Sequence, residues 1–368
     1  MHRKTADART RFIDRIVELA RERAPADPGV DIAEFVQQYY RNIGLEDLKA
    51  HRPENLAGAA MGHLRLAAVR TPGTPTIRVF NPDPRADGWS SEHTIVQMVN
   101  DDMPFLVDSV SMAINRSGLY IHLTVHPVMR VKRDAQGRLA GLVPLGRQAA
   151  DARMESLMQI EVDRETDPEA HERLAERFER VLGDVRAACE DWSVMRERAR
   201  EIVAELEERP PPLEAEVVRE SRELLSWMED EHFTFLGYRE YELVSGERSD
   251  ELHAIPGTGL GILRRPAPRD TGESARLTGR EIRKQAKSKD LLIITKANSR
   301  ATVHRDSYLD YVGIKHYDAA GEVIGERRFL GLWTSSAYSR PPREIPLLRD
   351  KVRRVMESSG FRPGSHGG

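Results

Sequence analysis

Apolar positions along this chain switch repeatedly between helical and strand spacing. Over residues 1–24, Phe12, Ile16 and Leu19 share one face among Arg, Asp and Glu, which predicts an amphipathic helix ending before Pro25. Asp31 is placed to cap a second helical segment through IAEFVQQYY, closed by Gly44, and ENLAGAAMGHLRLAAV carries helical spacing on to Val69. TPGTP at 71–75 breaks it. The period then shortens. TIRVF reads as a strand, NPDPRADGWSSEH as a loop, and residues 94–99 carry the β-branched and apolar content of a buried strand. Asn100, Asp101 and Asp102 stop that strand. Pro104 suits the first turn of a helix, with Asp101 or Asp102 capping its free amides. Val107, Val110, Ser111 and Ile114 continue the helix, Gly118 closes it in a left-handed cap, and a second strand covers 119–128.

The segment MRVKRDAQGRLAGLVPL reads as a hairpin turning at 135–137, and MESLMQIEV as a further strand. Asp167 then caps one long helix expected to continue through MRERAREIVAELEER to the prolines at 210–212. Strand, helix, strand, strand, helix is the skeleton of a split βαβ, or ferredoxin-like, sandwich. Beyond the prolines, Val217, Leu224, Leu225 and Met228 stripe a helix. FTFLGYREYELV, LLIITKA, ATVHR, YLDYVGIKHYD and GEVIGERRFLGLWTS read as strands, the last two joined by a turn at 319–321. Residues 270–290 read as a basic, polar loop with a short helix, and REIPLLRDKVRRVMESSGF as a closing helix. The fold class expected is α+β in three segments: helices over 1–70, a βαββα domain with a long C-terminal helix over 71–209, and a second, mostly antiparallel α+β domain over 210–368.

Composition narrows the function. Lys plus Arg (56) nearly balance Asp plus Glu (59), which argues against a dedicated nucleic-acid or membrane-surface protein. No apolar run approaches the ~20 residues a bilayer span needs, and no apolar segment follows the charged amino terminus as a secretory signal would require. Cys189 is the single cysteine, so the chain has no internal disulfide, which fits a reducing cytoplasm.

Motifs for chemistry are sparse. GTGLG at 257–261 falls short of the dinucleotide fingerprint: its last Gly comes one place early, and Pro266 and Pro268 stand where a helix would have to cradle pyrophosphate. Glycine-permitted turning at a strand end is the simpler reading, and no cofactor is expected in this chain. His122 and His126, four apart in a predicted strand, would be about 13 Å apart, too far to share a metal. Glu229, Asp230, Glu231 and His232 read as a solvated helix cap. Ser109 and Ser111 lack a nucleophile elbow, and Cys189 is expected to be buried as a small hydrophobe. No catalytic set is found. The basic run from Arg276 has no interleaved aromatics to stack bases. The best-suited place for a small molecule is the turn over 100–105. Free amides at a helix start, with Asn100, Asp101 and Asp102 nearby, match the carboxylate and ammonium of an amino acid.

DDMPFLVDSVSMAINRSGLYI resembles the ACT domain, with Asp102, Pro104, Leu106, Asp108, Ile114, Gly118 and Ile121 at the positions of its pattern. The departure is Phe105, where ACT domains that hold an amino acid commonly have Gly. Taken with ESLMQIEVDR, EDEHFTFLGYREYEL, GTGLGIL and GFRPGSH, the chain also resembles, nearly end to end, the N-terminal region of the large NAD-specific glutamate dehydrogenases of bacteria. That resemblance implies an ACT-like domain followed by a sensory-type module resembling a PAS domain. It implies a regulatory and oligomerising role, with Asn100, Asp101, Asp102 and Phe105 at an effector site. NAD and the dehydrogenase chemistry would belong to the rest of a longer, oligomeric polypeptide, whose lysine-bearing active-site motifs have no match around Lys296 or Lys315. A stand-alone amino-acid sensor is the alternative.

Overall fold

A computed structural model describes residues 2–24, 29–244, 251–265 and 290–358. The chain is α+β and divides into two compact units, Met1–Gly183 and Asp184–Gly368. In the first, α1 (His2–Arg23), α2 (Ile32–Tyr39), α3 (Leu45–Lys49) and α4 (Pro53–Ala67) precede β1 (Thr76–Phe80), β2 (Thr94–Asp101) and α5 (Leu106–Asn115). Then come β3 (Ile121–Val125), β4 (Val128–Arg133), β5 (Leu139–Leu142), β6 (Arg153–Val162) and the start of α6 (Pro168–Glu190). The sheet order is β1-β2-β6-β4-β5, with β3 also on β6, and every pairing is antiparallel. Placing β6 between β2 and β3 is the split βαβ arrangement predicted from the element order.

β2 is buried along all but its last residue and β6 along all but its first two, as a sheet covered on both faces requires. One cover is the N-terminal helices, whose Ile16, Phe35, Val36 and Met61 join Val99, Val125, Met129 and Leu157 in a single core. Each such side chain contributes about 1.5–3 kcal/mol, whereas an exposed pair such as Arg15–Glu18 on α1 is worth at most about 1. Burial of its apolar face therefore holds α1 in place. A polar chain runs through the same region. Tyr39 Oη lies 2.8 Å from His63 Nδ1 and 3.1 Å from Gln159 Oε1, and Gln97 Nε2 donates to Gln159 Oε1 (2.8 Å) and to the carbonyl of Ala59 (3.1 Å). His63 Nε2 donates to the carbonyl of Met98 at 3.0 Å, and burial pushes its pKa down to about 4, so the ring is neutral.

The second unit takes in α7 (Trp192–Glu208), α8 (Ala215–Trp227), β7 (Phe233–Val244), β8 (Glu251–Ala254), β9 (Leu260–Gly261), β10 (Leu292–Arg300), β11 (Tyr308–Tyr317), β12 (Val323–Trp333), α9 (Ser335–Ser339) and α10 (Leu348–Ser358). Its antiparallel sheet has the order β10-β11-β12-β7-β8, with β9 on β7. Met195, Ala199 and Ile202 of α7 and Leu224 and Leu225 of α8 pack on Phe235, Val312 and Phe329 of one face. The opposite face buries charge: Arg328 bonds Glu326 at 3.0 Å and lies over the rings of Tyr241 (3.9 Å) and Tyr311 (4.8 Å).

Several expectations are corrected. The long helix after Asp167 is two, α6 and α7, divided at Asp191, whose carboxylate accepts from Gly261 N (2.7 Å) and Arg264 Nη2 (2.7 Å). The strand expected over 119–128 is β3 and β4, parted at His126 and Pro127. ATVHR is not a strand but a series of bends, with His304 at φ 78°. α2 ends at Tyr39, and Gly44 is the N-cap of α3 rather than a helix end. Asp31 caps α2 as expected, accepting from Glu34 N at 2.8 Å. The loop and helix read over 270–290 lie, apart from Asp290, outside the described residues.

Gly261 has φ 59°, and a Cβ there would stand 2.1 Å from the carbonyl oxygen of Leu236, so Gly261→Ala should cost about 2 kcal/mol or more, read as a lower urea midpoint. His63 has a depressed pKa, so its contribution to stability is whole above its ordinary value of 6.5 and is lost as pH falls towards 4. Between pH 7 and 4 the wild type should lose roughly 3 kcal/mol more than His63→Gln, measured by urea unfolding at each pH.

Candidate functional site at the end of strand β2

β2 runs to Asp101 rather than stopping at Val99, because Asn100 and Asp101 continue the ladder opposite Ser156 and Glu155 of β6. Carboxylates directly opposite one another repel, so Asp101 and Glu155 need cations. Arg70, just after α4, supplies one: its Nη2 lies 2.5 Å from Asp101 Oδ1 and 2.7 Å from Glu155 Oε1. Arg133 of β4 supplies the other, gripping both Glu155 oxygens at 2.7 and 2.8 Å. The side chains of Arg70, Glu155 and Arg133 are buried, while Asp101 is partly open to solvent. Burial opposes the charge on Arg70, but Asp101 and Glu155 outweigh it and raise its pKa. Asp101 Oδ2 also accepts from Gly73 N at 2.9 Å.

That commitment overturns the expected helix cap. α5 begins at Leu106, two residues after Pro104, and its N-cap is Phe105, whose side chain makes no capping hydrogen bond. Phe105 has φ 69° and ψ 2°, the left-handed conformation that glycine adopts freely and that costs other residues about 1–3 kcal/mol. The turn therefore has a glycine-type backbone under a phenyl side chain. Asp102 N donates to the carbonyl of Met154 at 3.1 Å, and its side chain is exposed. Desolvation raises the Asp102 pKa and lowers that of His126, and the attraction between the two opposes each shift. His126 Nε2 lies 2.7 Å from Ser156 Oγ. Ser156 sits inside β6 with pairing on both sides and is buried, so its hydroxyl is not offered to a substrate as a nucleophile would be.

The structure thus brings Asn100, Asp101, Asp102 and Phe105 to one turn and adds Arg70, His126 and Ser156, which sequence spacing did not connect to it. Asn100 is buried. His122 and His126 go separate ways, His122 to Asp163 at 2.8 Å and His126 to Ser156. In the 257–261 stretch, Gly261 lets β9 approach β7 closely. Glu229, read as a solvated cap, is instead gripped by Arg196 and by Arg200 (2.5 Å) of α7. Lys296 pairs with Asp310 at 2.7 Å, whereas Lys315 is buried and its pKa lowered by desolvation. Cys189 is half-buried, and burial raises its thiol pKa. Among the described residues no group of His, Cys, Asp and Glu could hold a metal ion, and no helix is long and apolar enough to cross a membrane.

Removing Glu155 strands two buried guanidinium groups, whereas removing the charge of Asp101 leaves Arg70 its second partner. Glu155→Leu should therefore cost on the order of 3–5 kcal/mol and Asp101→Asn clearly less, both measured by denaturant unfolding.

Residues 35–178 match the family model for the glutamate dehydrogenase ACT1 domain, and residues 345–368 that for glutamate dehydrogenase helical motif 1. The chain is 36% identical over 370 residues to the NAD-specific glutamate dehydrogenase of Halomonas elongata, covering 100% of this chain and 23% of that protein. With the enzyme of the same name from Pseudomonas aeruginosa it shares 36% over 335 residues, covering 90% of this chain and 20% of the relative. The Mycobacterium tuberculosis protein is 26% identical over 318 residues, covering 85% and 18%. The chain spans 18–23% of the length of these curated relatives. With both models matched in order and relatives aligned along its length, the chain belongs to the NAD-specific glutamate dehydrogenase family, as part of its N-terminal region.

Proposed function

We propose that this chain is a regulatory and assembly region of a cytoplasmic, oligomeric NAD-dependent glutamate dehydrogenase. The parent reaction takes L-glutamate, NAD and water to 2-oxoglutarate, ammonium and NADH. The observation that carries the reading is the alignment of the whole chain at 36% identity to a relative of which it covers 23%, with an ACT1 match over residues 35–178. In this reading NAD and the reacting substrate bind in other parts of the polypeptide, and the second unit acts as a PAS-like module.

The effector end of the proposal rests on the turn over 100–105. The N-cap of α5 is Phe105, whose side chain has no acceptor for the first amides, and amides at a helix start suit a carboxylate. Asp102 offers an exposed carboxylate to an ammonium group, with His126 beside it. Asn100 is buried where the turn begins, and Asp101, held by Arg70 and Gly73, fixes the bend. In this reading Phe105, at the N-cap of α5, sets which side chains fit.

Thermal unfolding with L-amino acids, 2-oxoglutarate and NAD at millimolar concentration tests the proposal. A ligand at about 100 times its dissociation constant adds about 2.7 kcal/mol, and each kcal/mol moves the midpoint by roughly 2–4 °C. The expected result is stabilisation by an amino acid, lost in Asp102→Ala, and none by NAD. Stabilisation by NAD alone would overturn it.

A further inference from the structure

At the far end of β6 from Glu155 a second buried carboxylate, Glu161, forms the floor of a cavity of about 260 Å³. Two histidines from different segments converge on one of its oxygens: His51, between α3 and α4, with Nε2 at 3.1 Å, and His93, in the β1–β2 loop, with Nδ1 at 3.4 Å. The His93 ring lies against His122 of β3 at 4.2 Å, and His122 Nε2 reaches Asp163 at 2.8 Å.

The hydrogen-bond partners of His51 favour its protonated form. Its Nδ1 is 3.0 Å from the backbone carbonyl of Asp47 and its Nε2 faces the Glu161 carboxylate. A carbonyl and an ionised carboxylate only accept, so with Glu161 ionised both ring nitrogens must donate, and only imidazolium does that. A neutral ring would turn a lone pair on one of the two oxygens. His63 shows the opposite case: its Nε2 donates to a carbonyl while its Nδ1 faces the Tyr39 hydroxyl, which can donate, and the neutral ring is satisfied.

We infer that His51, His93 and Glu161 form a proton-operated clasp that fastens the α3–α4 turn and the β1–β2 loop to β6 and loosens when His51 loses its proton. The other titratable and charged groups around it are Asp47 of α3, Arg52 beside His51, and Glu92 of the loop. His122 and Asp163 lie on the sheet side, with Tyr39 and Tyr40 of α2 within electrostatic reach of Glu161. The bond to Glu161 raises the His51 pKa, partly opposed by desolvation. A raised folded pKa means that the clasp is complete below the ordinary value of 6.5 and is lost as pH climbs through the folded value. Opening it would uncover the cavity walled by Leu56 and Trp89.

Imidazole NMR titration and amide exchange of the whole chain test the clasp. His51 should titrate with a midpoint above about 6.5, returning to that value or below in Glu161→Gln. Between pH 6 and 8.5, after correction for intrinsic exchange, protection of residues 47–56 and 89–93 should fall several-fold in the wild type and stay level in His51→Gln. A wild-type midpoint at or below 6.5, or an equal loss of protection in His51→Gln, would overturn it. If Glu161→Gln does not fold, the wild-type midpoint and the His51→Gln exchange decide the matter without it.

Discussion

Two carboxylates buried at opposite ends of β6 impose the main constraint on the first unit. Ionised groups cannot stay buried without compensating charge, and the sheet alone does not provide enough. Glu155 is met by Arg133 of the neighbouring strand and by Arg70, which enters from beyond α4; Glu161 is met by His51 from the α3–α4 turn and by His93. Both ends of the central strand are therefore neutralised in part by the N-terminal helical segment. Those helices complete the sheet electrostatically as well as covering it, and this accounts for the single unit that they form with it.

The second unit follows the same logic with different residues. Asp191 ends one helix and starts another because its carboxylate is drawn to Gly261 N and to Arg264. Arg328 and Glu326 lie buried on one face of the second sheet, sandwiched with Tyr241 and Tyr311, while the other face is apolar and packs on α7 and α8. In each unit an apolar face gives most of the stability, and an ionic contact fixes where a helix or strand must stop.

How much of this was legible in the sequence depends on the range of the interaction. Local signals read well: the strand TIRVF, the Asp31 cap and the left-handed Gly118 after α5 all follow from spacing and turn chemistry. The split βαβ order was legible because hydrophobic period and Gly or Pro breaks alternate cleanly. The misreadings have a common cause. Asp101 looked like a helix cap because its nearest amides are those of α5, but Arg70, 31 residues away, outcompetes them. The break at Asp191 depends on Gly261, 70 residues on. The turn over 100–105 was located from sequence, whereas His126, Ser156 and the convergence of His51 and His93 on Glu161 required the fold to bring separate segments together.

The left-handed Phe105 carries a consequence for how this region can diverge. Its bend is held from outside, by the Asp102 amide on Met154 and by the first backbone bond of α5, from Ser109 N to the Phe105 carbonyl. Both of these bonds are made by main-chain atoms. With the main chain pinned in a left-handed bend, the residues that substitute for Phe105 most easily are those that tolerate positive φ, glycine first and asparagine or aspartate next, so divergence here is channelled towards small or polar side chains at the start of α5.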